Sequence, residues 1–255
     1  MIMDLVTKKA QVKKGKIGIG VDPKRIRIME NIKNIVEKKN LANLIYYEND
    51  KDLIEDLKNN RLDGIVRGHL SSNTFLECIK SSFNVSHCYR LALLETAGNH
   101  EFFFAPVGID EARNASEKQE FIKLSINLLK QLGIDPRIAI LSGGRRDDLG
   151  RDTQVDKTIN EADQIISWIN KENIKNSKNY NILIEDAIQD KMNVILAPNG
   201  MSGNLIYRTL IHLGNGKSHG APYLNIKKPV IDTSRVAPIN EYVSAISFAS
   251  ALKWI

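Results

Sequence analysis

The stretch KKPVIDTSRVAPINEY, residues 227–242, brings a hydroxyl, a guanidinium and a carboxylate into one short segment. Ser234 can donate to a developing oxyanion, Arg235 can hold an anion, and Glu241, seven residues after the serine, can take a proton. An apolar pair, Val230 and Ile231, runs into these residues, and Pro238 follows where a helix would begin. Proline suits a first helical turn, and a carboxylate one turn in complements the helix dipole. Capping alone therefore accounts for the same residue types, and the two readings stand side by side.

Two further segments combine a strand end with polar groups. In ILSGGRRDDLGRD a buried-type strand ends in Ser142, Gly143 and Gly144 and delivers Arg145 and Arg146. Ligands of open α/β sheets bind beyond the carboxyl ends of strands, and arginines grip phosphate or carboxylate in two-pronged fashion. The alternative is a surface loop whose arginines pair with Asp147, Asp148 and Asp152. In ILAPNGMSGNLIYR, Pro198, Asn199 and Gly200 end a strand and Ser202, Gly203 and Asn204 open a helix. Such a transition exposes N–H donors to an anion. Ser202 as a helix cap is the plainer reading.

Other motifs fail on spacing. GNGKS at residues 214–218 lacks the earlier glycine of a phosphate-binding loop, because position 211 is Ile211, and it follows a helix. GIGVDP places Pro23 where a dinucleotide fingerprint has its third glycine. The five histidines show no paired spacing and the two cysteines, Cys78 and Cys88, form no CxxC, so no metal site is expected. The thiols read as core residues of a reducing compartment.

Positioning these segments requires alternating strands and helices, and the chain supplies them. KIGIGV, NLIYY and LDGIVRG read as strands, separated by helices marked by Met29, Ile32, Val36 and by Leu53, Ile54, Leu57. NTFLECIKSSF is a helix, and YRLALLET with EFFFAPVG reads as an antiparallel pair. A helix over 116–132 carries Phe121, Leu124, Leu128 and Leu132 on one face, and RIAILSGG follows as a strand. The next helix carries Val155, Ile159, Ala162, Ile166 and Ile169. YNILIEDAI and MNVILAPNG read as strands, followed by helices at 203–213 and 239–253. This order predicts an α/β protein with largely parallel pairing and a second or mixed sheet.

Composition agrees with a globular protein: 42% hydrophobic and 26% charged over 255 residues. No apolar run reaches the roughly 20 residues of a membrane span, and no signal-peptide core is present, so a cytoplasmic location without a membrane partner is expected. The net charge is +6, and residues 1–16 hold five lysines against Asp4. With no aromatic residues among the lysines and no nucleic-acid motif, this segment reads as a solvated basic tail, with no nucleic-acid partner.

Taken in order, the segments resemble the phosphate acetyl/butyryltransferase family. Its Phe-Pro-Asp, Ala-Gly-Asn and helix tyrosine are matched by Ala197-Pro198-Asn199, Ser202-Gly203-Asn204 and Tyr207. Its Lys-Pro-x-x-Asp-Leu-Ser-Arg is matched by Lys228-Pro229-Val230-Ile231-Asp232-Thr233-Ser234-Arg235. Its Asp-Gly-x-Val-x-Gly strand end is matched by Asp63-Gly64-Ile65-Val66-Arg67-Gly68. Within the superfamily the details look most like the methyltransferase-related MtxX branch of methanogens.

The resemblance implies two α/β domains facing each other across a cleft, as in isocitrate and isopropylmalate dehydrogenases. Residues 1–88 with 227–255 would form one and 89–226 the other, usually in a homodimer. It implies acyl transfer between phosphate and coenzyme A, or a related small anionic substrate, with no tightly bound cofactor. Carried over by position, Ser234 assists the tetrahedral intermediate and Glu241 is the base. Arg235, Arg145, Arg146, Arg67, Ser142 and Asn204 are expected around the anion. The chain departs from the pattern at Asn199 for aspartate, at Val236 for glycine, and near Cys78, where the family carries an arginine. These departures motivate an alternative, an accessory protein of methanogenic methyl transfer that binds a phosphorylated ligand without acyl transfer. No S-adenosylmethionine loop or corrinoid motif is present. A metal-dependent dehydrogenase would need an aspartate cluster, whereas Asp147, Asp148 and Asp152 sit among arginines.

Overall fold

A computed structural model describes residues 1–252. The chain divides into two compact units, Met1–Arg90 with the chain from Ser218 onward, and Leu91–Lys217. The first unit opens with α1 (Ile2–Lys13), β1 (Lys16–Gly20), α2 (Ile26–Lys38), β2 (Asn43–Tyr47), α3 (Asp50–Lys58), β3 (Gly64–Val66) and α4 (Ser72–Phe83). The second comprises β4 (Ala92–Glu95), β5 (Glu101–Ala105), α5 (Ala115–Leu132), β6 (Ile138–Leu141), α6 (Thr153–Lys171) and β7 (Ser177–Asn181). It continues with α7 (Ile184–Gln189), β8 (Val194–Leu196), α8 (Gly200–His212) and β9 (Lys217–Ser218), the last closing at the unit boundary. The chain then returns to the first unit with β10 (Ala221–Pro222), β11 (Val230–Asp232) and α9 (Ile239–Ala251).

The first unit holds a five-stranded sheet in the order β10-β11-β3-β1-β2. β1, β2, β3 and β11 run parallel, and β10 pairs antiparallel with β11. That pairing is why residues 218–226 group with the first unit. The other sheet has the order β7-β6-β8-β5-β4-β9, parallel from β7 to β5 and antiparallel between β4 and β5. The mixed α/β architecture with two sheets and the YRLALLET–EFFFAPVG pairing agree with the sequence reading. Among the described residues no helix is long and apolar enough to cross a membrane.

Several expectations need correction. The basic segment at the N-terminus is not a tail but α1, which packs on α9. Ile2, Val6 and Ala10, spaced by four, are buried, while Lys8, Lys9 and Lys14 stay exposed. The strand expected in YNILIEDAI lies earlier, at Ser177–Asn181. Asn181 has φ 53°, a left-handed turn that ends the strand, and Glu185 and Asp186 favour the first turn of α7. On α6 the buried stripe is Ile159, Ala162, Ile165 and Ile169, with Ile165 replacing Ile166 and Val155 only half-buried. On α5 Phe121, Leu128 and Leu132 are buried and Leu124 is half-buried. The cap of α8 is Asn199, not Ser202: its side chain accepts from the Ser202 N–H at 3.0 Å, so the helix starts at Gly200 rather than Gly203. Of the expected terminal helix, Lys253 lies outside the described residues. Cys88 is buried and Cys78 half-buried, and neither forms a disulfide.

One crossing positions the site. Gly68 has φ +63°, and a Cβ there would lie 2.0 Å from the Gly20 carbonyl oxygen. Only glycine permits this approach, which holds the end of β3 against the end of β1 and sets the direction of Arg67.

Candidate functional site

β11 is a short apolar strand, buried throughout, whose parallel register with β3 brings Asp232 beside Arg67. The Arg67 guanidinium is itself buried and all three of its nitrogens are used. Nε donates to Asp232, Nη1 to the Leu70 carbonyl at 2.7 Å, and Nη2 to the Thr233 carbonyl. Arg90 Nη1 donates to the other Asp232 oxygen at 3.0 Å. Burial alone would push the Asp232 carboxyl up. The flanking Arg67 and Arg90 charges reverse that and hold it below its ordinary value. Arg67 thus anchors the chain at Asp232 and Thr233.

The anchored strand ends in a tight turn. The Ser234 carbonyl accepts from the Ala237 N–H at 3.2 Å and from the Tyr242 hydroxyl at 3.0 Å, while Ser234 Oγ accepts from the Val236 N–H at 3.3 Å. The turn delivers Pro238 at the N-cap of α9, so Glu241 falls in the first helical turn. Its carboxylate Oε1 accepts from the Ser234 N–H at 3.2 Å. Glu241 is only 3% exposed. Burial pushes its carboxyl up to about 7, against hydrogen bonds from the Ser234 N–H and the Ser218 side chain, which favour the charged form.

Arg235 is exposed, its Nε 3.3 Å from the Leu70 carbonyl, and its own carbonyl accepts from Arg25 Nη1 at 2.9 Å. A second guanidinium therefore lies at this turn. His69 meets the Tyr242 ring edge-on with centroids 5.3 Å apart, and its Nδ1 accepts from the Asp22 N–H at 3.2 Å. The imidazole pKa is lowered by burial and then by the nearby Arg25 charge.

The remaining expected residues lie in the second unit. Ser142 is buried, and its hydroxyl donates to the Gly144 carbonyl at 2.8 Å. The Gly143 N–H is taken by Thr158 Oγ1 of α6 at 2.8 Å and the Arg145 N–H by Asp148 at 2.8 Å, so two of the N–H groups at this turn are engaged within the protein. Arg146 pairs with Asp163 at 2.6 Å, and Arg151 pairs with Asp148. The Arg145 and Arg146 side chains are exposed. Asn204 Nδ2 donates to the Val107 carbonyl at 2.8 Å, tying α8 to the segment after β5. A cavity of about 350 Å³ beside the α8 N-terminus is lined by Arg113, Lys157, Thr158, Asn199 and Gly200 among others, and by none of the expected site residues.

The structure thus brings Arg67, Ser234, Arg235 and Glu241 together, and sets Ser142, Arg145 and Arg146 in one loop. Sequence reasoning missed Arg90, Arg25 and Ser218. Arg25 stood in a polar turn, Arg90 at a strand edge, and Ser218 in a failed motif, so nothing local marked them.

The fold is that of the phosphotransacylases: a solved phosphotransacetylase from Streptococcus pyogenes superposes with a TM-score of 0.69 at 19% identity, covering 98% of this chain and 97% of that one. A protein of Methanosarcina mazei with the provisional name methyltransferase mtx subunit X is 41% identical over 203 residues, covering 80% of this chain and 71% of the relative. The chain belongs to this mtx subunit X family, within the phosphate acetyl/butyryltransferase superfamily. A phosphate acetyltransferase of Corynebacterium glutamicum is a distant relative, 24% identical over 75% of this chain and 62% of its own length. No protein-family model matches the chain.

Proposed function

We propose that the protein transfers an acyl group between phosphate and the thiol of coenzyme A or a related anionic thiol. The observation that carries this reading is a buried carboxylate, Glu241, raised to about 7 and held 3.2 Å from the Ser234 N–H. A base poised near neutrality can take the thiol proton. The thiolate then attacks the acyl carbon, and the Ser234 hydroxyl donates to the tetrahedral oxyanion. Collapse breaks the acyl–oxygen bond to phosphate, and the proton on Glu241 goes to the departing phosphate. Arg235 supplies positive charge for the anion. Arg67, spent on Asp232 and two carbonyls, acts in this scheme as the support of the serine turn. An isocitrate dehydrogenase-like arrangement, a homodimeric state and a cytoplasmic location belong to the same reading.

Purified protein given acetyl phosphate and coenzyme A should form thioester, and Ser234→Ala or Glu241→Gln should lower kcat by about 10²–10³-fold. The reading fails if no coenzyme A binds, no thioester forms, and Ser234→Ala changes nothing.

A second reading has its own observation. Asn199, at the family's aspartate position, is occupied in capping α8, and Cys78, where the family has an arginine, is a half-buried thiol on α4. An accessory protein of methyl transfer that holds a phosphorylated ligand needs neither charge. Unchanged methyl-transfer flux in a strain deleted for the gene would count against it.

A further inference from the structure

The carboxyl ends of β1, β3 and β11, three adjacent parallel strands, are tied to one another by side chains. After β1 the chain makes one 3₁₀ turn, Pro23–Arg25, capped by Asp22. The Asp22 carboxylate accepts from the Lys24 N–H at 3.0 Å, and the Asp22 N–H donates to Nδ1 of His69, which follows β3, at 3.2 Å. From this fixed turn Arg25 reaches the chain after β11, where its Nη1 donates to the Arg235 carbonyl at 2.9 Å. Arg235 in turn holds its own Nε 3.3 Å from the Leu70 carbonyl, again beyond β3. Ligands of open α/β sheets bind at such carboxyl ends.

Both guanidiniums are exposed, and among the described residues neither forms an ion pair. Arg61, Arg67 and Arg90 of the same unit each meet an aspartate. Arg25 and Arg235 each use one nitrogen on a carbonyl, which leaves Arg25 Nε and Nη2 and both Arg235 Nη groups as donors. The Arg235 backbone N–H also has no partner among the described residues. Like charges without a counter-charge repel, and a bound dianion removes that repulsion. One guanidinium fork satisfies the two oxygens of a carboxylate. Two forks from different strands match the three terminal oxygens of a phosphoryl group.

We propose that Arg25 is a ligand-binding residue which, together with Arg235, clamps a terminal phosphoryl group beyond β1 and β11. The binding stands by itself, while its kinetic consequence rests on the acyl-transfer reading. The competing role for Arg25 is a tie that only shapes the Arg235 turn through its carbonyl. The two roles separate experimentally, because the tie needs a donor and the clamp needs a charge.

The test is an equilibrium titration of the full-length protein, followed by ³¹P NMR, with inorganic phosphate, acetyl phosphate, coenzyme A and 3′-dephospho-coenzyme A. Arg25→Ala should weaken binding of a phosphoryl ligand about 10–100-fold, the loss expected for charge-assisted hydrogen bonds. Arg25→Lys should recover only part of it. Arg25→Gln keeps a donor for the Arg235 carbonyl but no charge, so it should bind as poorly as Arg25→Ala. Lys24→Ala removes the same charge one residue earlier and should change Kd by less than about twofold. Weaker binding of phosphate and acetyl phosphate places the transferred phosphoryl group in the clamp. Weaker binding of coenzyme A but not of its 3′-dephospho form places the 3′-phosphate there, and either result supports the clamp. Unchanged affinity for all four ligands in Arg25→Ala, or wild-type affinity in Arg25→Gln, overturns it. In thioester formation Arg25→Ala should raise KM by the same factor with kcat unaltered. Phosphate binding that depends on Arg25 in a protein forming no thioester keeps the clamp and removes the acyl-transfer reading alone.

Discussion

The carboxylate of Glu241 accepts a hydrogen bond from the backbone N–H of Ser234, 3.2 Å away and seven residues earlier in the chain. The turn between them, closed by the Ala237 N–H and the Tyr242 hydroxyl on one carbonyl, converts a sequence spacing into a fixed contact. Because Glu241 sits almost wholly out of water, its protonation is coupled to the stability of the first unit.

Its carboxyl is raised to about 7 from an ordinary 4.5, so the native state keeps a proton that the unfolded chain has already released. The stability from this group is fully present below about pH 4.5 and is lost as pH rises through 7. Glu241→Gln should remove that slope. The variant should gain on the wild type by about 3 kcal/mol between pH 4.5 and 8, read from urea unfolding at each pH. A parallel pH dependence in both proteins would show that Glu241 titrates normally.

Arg67→Ala should cost about 3–5 kcal/mol in urea unfolding, because Asp232 stays buried with Arg90 alone and two carbonyls lose their donor. Arg67→Lys should restore only part of this, since an ammonium cannot reproduce the planar fork. A rise in substrate KM with unaltered stability would instead mark Arg67 as an anion ligand.

Arg145→Ala and Arg146→Ala should leave Tm within about 3 °C, the Arg146–Asp163 pair being exposed and worth about 0–1 kcal/mol. If the loop holds the substrate anion, each should raise KM for acyl phosphate about tenfold. Equal KM values in wild type and both variants would remove the loop from the anion site.

Val6→Asp should destabilise the protein by several kcal/mol, because it sets an unpaired charge under α1, where Val6 is fully buried. Lys8→Ala, on the exposed face of the same helix, should change stability by no more than about 0.5 kcal/mol. Thermal unfolding of the two variants separates a packed helix from a solvated tail.

Much of this was legible in the residues themselves. The alternation of short apolar runs with helical stripes such as Met29, Ile32 and Val36 revealed strands and helices, because burial on one face imposes a period. The spacing of Ser234 and Glu241 also announced a shared turn, since one helical start brings them together. The N-terminal helix was hidden because its three lysines match its three buried apolar positions in number, and charge masked the stripe. Asn181 ended a strand where apolar residues went on, because its left-handed backbone, not hydropathy, set the boundary.

What the chain's order could not show is which guanidinium faces which carboxylate. Arg67 and Asp232 lie 165 residues apart and meet only because β3 and β11 pair in parallel. In that pairing the Arg67 guanidinium meets Asp232 and the Leu70 and Thr233 carbonyls. The pairing also left Glu241 buried. Local spacing determined that a serine, an arginine and a carboxylate would share one turn. Burial and long-range pairing, which depend on the whole sheet, decided that the carboxylate is buried and that Arg67 meets Asp232.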